Sequence, residues 1–175
     1  MFSHPETNVA TWKLPLGVSV ADFGSGSGHY VLALARTIGD KGIVYAVDIQ
    51  KDLLAKIKNE AVGQGLRNVE VVWGDIEKLG GSKIKDESLD AVLLSNILFQ
   101  VKEKEILVHE ASRILKKGGS LAAIDWQDSF GGLGPHTEAV FPKESAKTLL
   151  ESSGFLFERE FAPGDHHYGL IFVKN

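Results

Sequence analysis

Strand-like apolar runs alternate with helix-like periodic ones along most of this 175-residue chain, and the alternation breaks only near its end. Val18 to Phe23 reads as a buried strand, and Tyr30 to Ile38 as a helix that stops at Gly39. Ile43 to Val47 is a second strand. Leu53, Leu54, Ile57 and Ala61 then mark one face of a helix from Lys51 to Gln64. Val69–Trp73, Leu89–Ser95 and Ser120–Trp126 are further strands. Ile106, Leu107, Ala111, Ile114 and Leu115 line another helix, expected to run as far as Gly118-Gly119, with Lys116 and Lys117 at its C-terminus. Pro142 opens a last helix and Gly154 closes it. Such an alternation predicts a parallel sheet buried between two helical layers. Phe155–Phe161 and Tyr168–Val173 are separated only by Ala-Pro-Gly-Asp-His-His, too short for a parallel crossover, so they form an antiparallel hairpin.

Charged residues make up 24% of the chain and hydrophobic ones 43%, which suits one globular domain over residues 1–175. A net charge of −4 argues against a surface built to neutralise nucleic-acid phosphates. The absence of cysteine removes disulfides, thiol nucleophiles and Cys-based zinc sites, and with six histidines no metal site is expected. No apolar run approaches the ~20 residues of a membrane span, and Met1 to Leu14 is too polar for a signal peptide, so a cytoplasmic location is expected.

The candidate chemistry lies at strand ends. Val20-Ala-Asp-Phe-Gly-Ser-Gly-Ser-Gly-His-Tyr30 joins the first strand to its helix. Gly24, Gly26 and Gly28 let the backbone turn sharply beside a ligand, and the helix N-terminus offers free N–H groups. Taken alone, that turn also fits an inert tight loop. Asp48, followed by Ile49, closes the second strand about 20 residues later, where an acid suits two vicinal ribose hydroxyls. Trp73-Gly74-Asp75-Ile76 ends the third strand with an acid and an apolar neighbour, suited to the amino group and ring face of adenine. All three ends fall on the edge of the sheet where open α/β folds bind ligands.

From about Val18 to Lys174 the chain resembles the class I S-adenosylmethionine-dependent methyltransferases. Asp22-Phe-Gly-Ser-Gly-Ser-Gly28 looks like the family's first motif, Asp48 like its ribose-binding acid, and Asp75 like the acid facing adenine. Leu89-Asp-Ala-Val-Leu-Leu-Ser-Asn96 resembles the fourth strand, whose end faces the methyl group. Ala111-Ser-Arg-Ile-Leu-Lys-Lys-Gly-Gly119 resembles the turn before strand five. The resemblance implies a Rossmann-like three-layer α/β sandwich with a seven-stranded, mostly parallel sheet of order 3-2-1-4-5-7-6, strand seven antiparallel. It also implies S-adenosylmethionine as cofactor, held by Asp22, Gly24, Ser25, Gly26, Gly28, Tyr30, Asp48, Ile49, Gly74, Asp75, Ile76, Ser95 and Asn96. Trp73-Gly-Asp75 and Leu98-Phe-Gln100 are similar to the small-molecule, ubiquinone-biosynthesis-type branch. A nicotinamide dehydrogenase would need glycine where His29 stands, and the second half of its dinucleotide-binding sheet is missing.

Methyl transfer is an in-line displacement with an activated leaving group, so alignment and desolvation are the protein's main tasks and a base is optional. Ser95 and Asn96 are placed to orient an acceptor, or else to cap the following segment. Asp125 and His167 are the candidate catalytic groups, with Trp126 as a wall; their alternatives are a capping acid and a solvated turn histidine. Residues 1–17, with Phe2, His4 and Pro5, and the loop Ser129–Glu138, with Gly131, Gly132 and Gly134, are candidate lids. The acceptor is expected to be a small molecule, with a protein or lipid acceptor as alternatives and no nucleic acid; the chain is expected to be a monomer or homodimer. A non-catalytic S-adenosylmethionine or S-adenosylhomocysteine binder, acting as sensor or partner subunit, is the alternative function.

Overall fold

The structure, a computed structural model, describes residues 4–132 and 134–175. Its order is α1 (Pro5–Trp12), β1 (Ser19–Phe23), α2 (His29–Ile38), β2 (Ile43–Asp48), α3 (Lys51–Gly63), β3 (Val69–Trp73) and β4 (Leu89–Ser95), then α4 (Lys104–Ile114), β5 (Leu115–Trp126), α5 (Lys143–Ser152), β6 (Phe155–Phe161) and β7 (His167–Lys174). The strands form one sheet in the order β3-β2-β1-β4-β5-β7-β6. β1 to β5 run parallel, and β7 is antiparallel to both β5 and β6, as the short connection requires.

Side chains alternate across the pleat and feed two cores. Ala21, Phe23, Val92, Leu94, Leu121 and Ala123 meet Leu107, Ala111 and Ile114 of α4 and Leu150 of α5. Val20, Ala91, Leu93, Ala122 and Ile124 meet Val31, Leu34 and Ile38 of α2 and Ile57 of α3. α2 is buried on almost every side because α1 covers its outer face with Val9 and Trp12.

Two features differ from expectation. Residues 5–12 form a docked helix, of which Pro5 borders the cleft described below. Trp12 Nε1 donates to Ser120 Oγ at 2.7 Å, and Arg159 Nη2 donates to Thr11 O and Trp12 O at 3.1 and 3.3 Å. Phe2, the third member of that candidate lid, lies outside the described residues. Second, α4 ends at Ile114 and not at Gly118-Gly119, because Leu115 turns extended and pairs with Leu89. The helix C-terminus is capped from across the sheet by Lys174 Nζ, which donates to Ser112 O at 2.8 Å and Leu115 O at 2.7 Å. Lys116 instead pairs with Asp90.

The depth of Trp12, 5% exposed, makes α1 part of the core. Trp12→Ala should cost about 3–5 kcal/mol in urea denaturation, the range for deleting a buried aromatic. A loss below about 1 kcal/mol would show that α1 is peripheral to folding.

Candidate functional site

Asp22 lies between Ala21 and Phe23 on β1, so the pleat turns its side chain away from their core and toward α2. The residue is 2% exposed. Burial, reinforced by the nearby charge of Asp48, pushes its carboxyl up to about 7. Oδ1 of Asp22 makes no hydrogen bond within the described residues.

The chain then turns through Gly24–Gly28 into α2. Gly24 and Ser25 donate their N–H groups to Val47 O at 2.9 and 3.1 Å, and Gly26 donates to Asp48 Oδ2 at 2.9 Å. Asp48 Oδ1 accepts from Gln50 N at 2.9 Å, so this acid fixes the ends of β1 and β2 relative to each other. Two of the glycines serve different ends. At Gly28 (φ +82°) a Cβ would lie 2.5 Å from Ile57 Cγ1, so its lack of a side chain lets α2 approach α3. At Gly26 (φ +51°) the nearest atom to a Cβ would be Gly24 O at 3.8 Å, so its face is left open to the cleft.

That cleft has two compartments along the C-terminal edge of the sheet, of about 260 and 290 Å³, near the lower end of the range for small-molecule sites. They share Gly24, Gly26 and Gln100 as lining. One is bounded by Asp48, Ile49, Gly74, Asp75 and Ile76, the other by Asp22, Ser25, Tyr30, Ser95 and Asn96. Of the expected cofactor residues, Gly28 alone lines neither and sits under α3 instead. Three buried acceptor atoms on residues of the second compartment, Asp22 Oδ1, Ser25 Oγ and Asn96 Oδ1, lack a hydrogen bond within the described residues. Asn96 holds a left-handed backbone (φ +52°) while its N–H reaches Ile124 O at 2.8 Å, and no helix follows for it to cap. In the first compartment, Asp75 Oδ1 accepts from Glu77 N at 3.1 Å and Oδ2 pairs with Lys78 Nζ at 2.9 Å. The hydrogen bond from Lys78 and the amide of Glu77 hold its carboxyl below the usual carboxylate range.

Sequence reasoning missed Gln50, Glu77, Ile97, Gln100 and Val101 as lining. Gln50 follows Ile49 and was within reach of the motif; the residues after Asn96 carry no periodicity that marks them.

The two candidate catalytic groups line neither compartment. Asp125 is wholly buried and accepts from Leu98 N and Trp126 N, each at 2.8 Å. Burial pushes its carboxyl up to about 6 against the pull of those amides. The His167 ring meets that of Trp126 at a tilt of 38° with 4.2 Å between ring centres, and its Nδ1 lies 3.0 Å from Asp165 O. Its Nε2 is buried and makes no hydrogen bond among the described residues, and burial, followed by His166, lowers its pKa. Pro5 and His29 border the second compartment. The loop from Ser129 to Glu138, of which Leu133 is outside the described residues, borders neither compartment. At Gly134 a Cβ would meet the Trp126 ring at 2.7 Å, so the loop rests on that indole. Among the described residues no group of His, Asp and Glu is arranged to hold a metal, and no helix is long and apolar enough to cross a membrane.

Residues 16–155 match the family model of a methyltransferase domain. An arsenite methyltransferase from Homo sapiens is 36% identical over 108 residues, covering 58% of this chain and 29% of that protein. A demethylmenaquinone methyltransferase from Listeria welshimeri is 31% identical over 150 residues, covering 81% of this chain and 62% of that protein. The chain thus spans less than two thirds of the length of these curated relatives. The crystal structure of a SAM-dependent methyltransferase from Aquifex aeolicus superposes with a TM-score of 0.89 at 27% identity, covering 99% of this chain and 90% of that one.

The raised pKa of Asp22 has a consequence for folding. Its folded value, about 7, exceeds its ordinary 3.8, so the folded state binds more protons between those values and stability falls as pH rises through them. Asp22→Asn removes the buried charge. At pH 8 it should unfold in urea with a free energy higher than wild type by a few kcal/mol, at ~1.4 kcal/mol per pKa unit, and the gain should fade toward pH 4. A variant less stable than wild type at pH 8 would show that the charge is compensated within the fold.

Proposed function

The chain belongs to the class I S-adenosylmethionine-dependent methyltransferase family, and we propose that it binds S-adenosylmethionine across both compartments and methylates a small molecule. The carrying observation is that Asp22 Oδ1, Ser25 Oγ and Asn96 Oδ1, buried and without a hydrogen bond within the described residues, all belong to residues lining the second compartment. A cluster of unsatisfied acceptors suits a cationic donor such as an α-ammonium group, since a buried acceptor left unpaired is costly. Asp48 has a second lone pair on each oxygen for the ribose hydroxyls, beyond those used by Gly26 and Gln50. Asp75, with Ile49 and Ile76, faces the adenine, while Gly24, Gly26, Gly74, Tyr30 and Ser95 shape the walls. Gly28 supports this set from beneath, through the contact of α2 with α3.

When bound, the cofactor supplies an electrophilic methyl group on a leaving group that needs no further activation. The protein's part is to hold both reactants in line and keep water out. Asp125 and His167 enter this proposal as positioning groups on the acceptor side. Asp125 pins the turn after Asn96 through Leu98 N, and His167 backs the Trp126 ring. Because these 175 residues contain no cysteine, they offer no thiolate for a soft ion, which favours an acceptor that reacts through carbon, oxygen or nitrogen. A cytoplasmic location and a monomeric or homodimeric state belong to the same proposal.

Calorimetry should show S-adenosylmethionine and S-adenosylhomocysteine competing for one site. Since Asp22 must ionise to receive an ammonium group, affinity should weaken about tenfold per pH unit below 7 and level off above it. Asp48→Ala should weaken binding by about 1.5–3 kcal/mol. Binding of neither ligand, or an affinity flat from pH 5.5 to 8, would overturn this assignment. Transfer of labelled methyl to a low-mass fraction of a cell extract tests the second half of the proposal, and label found only in protein or lipid would redirect it.

A further inference from the structure

Besides Asp125, a second acidic side chain is wholly buried and hydrogen-bonded at both oxygens yet lines neither compartment of the cleft. Glu110 lies on α4, 0% exposed, within the stripe of Leu107, Ala111 and Ile114. Its Oε1 accepts from Ser82 N at 3.0 Å, Ser82 Oγ at 2.5 Å and Arg113 Nη2 at 2.7 Å. Its Oε2 accepts from Gly80 N at 2.7 Å and Arg113 Nε at 2.9 Å, and Arg113 reaches on to Asp86. Burial pushes this carboxyl up, but Arg113, the Ser82 hydroxyl and the two amides outweigh it and hold it at about 2. A buried ion pair is a weak source of stability compared with packed apolar residues, so what such a network contributes is a fixed geometry.

The geometry it fixes is that of the loop after β3. Gly80 and Ser82 flank Gly81, whose carbonyl accepts from Asp75 N at 3.1 Å. Gly81 lies so close to Asp75 that a Cβ there would be 1.9 Å from Asp75 O. The loop closes on itself through Lys78 N to Asp75 O at 3.2 Å and Gly81 N to Lys78 O at 2.9 Å. Glu77 ties it to the approach of α4, its Oε2 accepting from Lys102 N at 3.0 Å and Glu103 N at 3.1 Å. The backbone that carries Asp75 and Ile76 is therefore set from α4. We infer that Glu110 is a positioning residue for the adenine end of the cleft, acting through Gly80, Ser82 and Gly81 on Asp75; this rests on the cofactor reading above.

The test compares S-adenosylhomocysteine with S-inosylhomocysteine, in which an oxo group replaces the adenine amino group, by calorimetry on the full chain. Wild type should prefer the adenine ligand by about tenfold or more, because Asp75 accepts from the amino group and repels the oxo group. Glu110→Gln should weaken S-adenosylhomocysteine by about tenfold and reduce the preference to about threefold or less, leaving the midpoint of the pH dependence set by Asp22 unchanged. A Glu110→Gln protein that is less stable but keeps the full preference would overturn the inference, since a merely structural role lowers stability without altering base discrimination. Should that variant fail to fold, Ser82→Ala removes only the hydroxyl donor and should lose part of the preference; a folded Ser82→Ala protein with full preference overturns it equally. Wild type binding both ligands equally would remove Asp75 from the adenine and sink this inference alone, whereas wild type binding neither would sink the cofactor reading as well.

Discussion

A carboxylate buried at the end of the central strand, with one oxygen that makes no hydrogen bond among the described residues, sets the terms for the rest of the molecule. Asp22 lies where β1 stops between β2 and β4, so it is flanked by sheet on both sides and covered by α2. Such a group is tolerated only if the surrounding packing is strong, because an uncompensated buried charge is among the most costly features a fold can carry. Two apolar cores, one on each sheet face, supply that packing. The site is in this sense a local exception held in place by a consistent remainder, as functional sites commonly are.

The acids at the cleft differ in how they are held. Asp22 is pushed up by burial, and Asp75 is drawn down by Lys78 and the amide of Glu77. Asp48 uses both oxygens on backbone amides of its neighbours. Three carboxylates along one edge would repel one another if each lacked partners. Among the described residues, hydrogen-bond partners are found for both oxygens of Asp48 and of Asp75 but not for Asp22 Oδ1, at the other end of the cleft. That asymmetry gives the cleft a direction, with its unpaired buried acceptor at the Asp22 end.

Most of the fold was legible because its elements are long and regular. Strand runs such as Leu89–Ser95 and the periodic face of α3 follow from local pattern alone, and the short β6–β7 connection dictates antiparallel pairing. The eight residues of α1 were not legible as a helix, since only Val9 and Trp12 show burial spacing and their partners lie far away in sequence. The end of α4 was misjudged because Leu115 satisfies a helical stripe and a strand equally well, and only its pairing with Leu89 decides. Strand-end acids were legible as a set, being tied to the glycine turn by spacing. Glu110 was not, although it sits three residues after Leu107 and four before Ile114, a position that places it inside the apolar stripe. A charged residue in such a stripe is the signal that could have exposed the network.

How the cleft is bounded follows from where α1 is tied down. Its C-terminal end is held twice, by Trp12 to Ser120 across the sheet and by Arg159 on the carbonyls of Thr11 and Trp12. Its N-terminal end carries Pro5 to the rim of the second compartment and is tied to α2 by Asn8 Nδ2, which donates to Tyr30 OH at 2.8 Å, and by Arg36 Nη1, which donates to Glu6 Oε1 at 3.3 Å. Tyr30 itself lines that compartment. The helix is therefore tied down at both ends, and near its N-terminal end it contacts Tyr30 of α2, a side chain that lines the cleft. The glycine loop after β5, by contrast, rests on the Trp126 indole at Gly134, and its described residues line neither compartment.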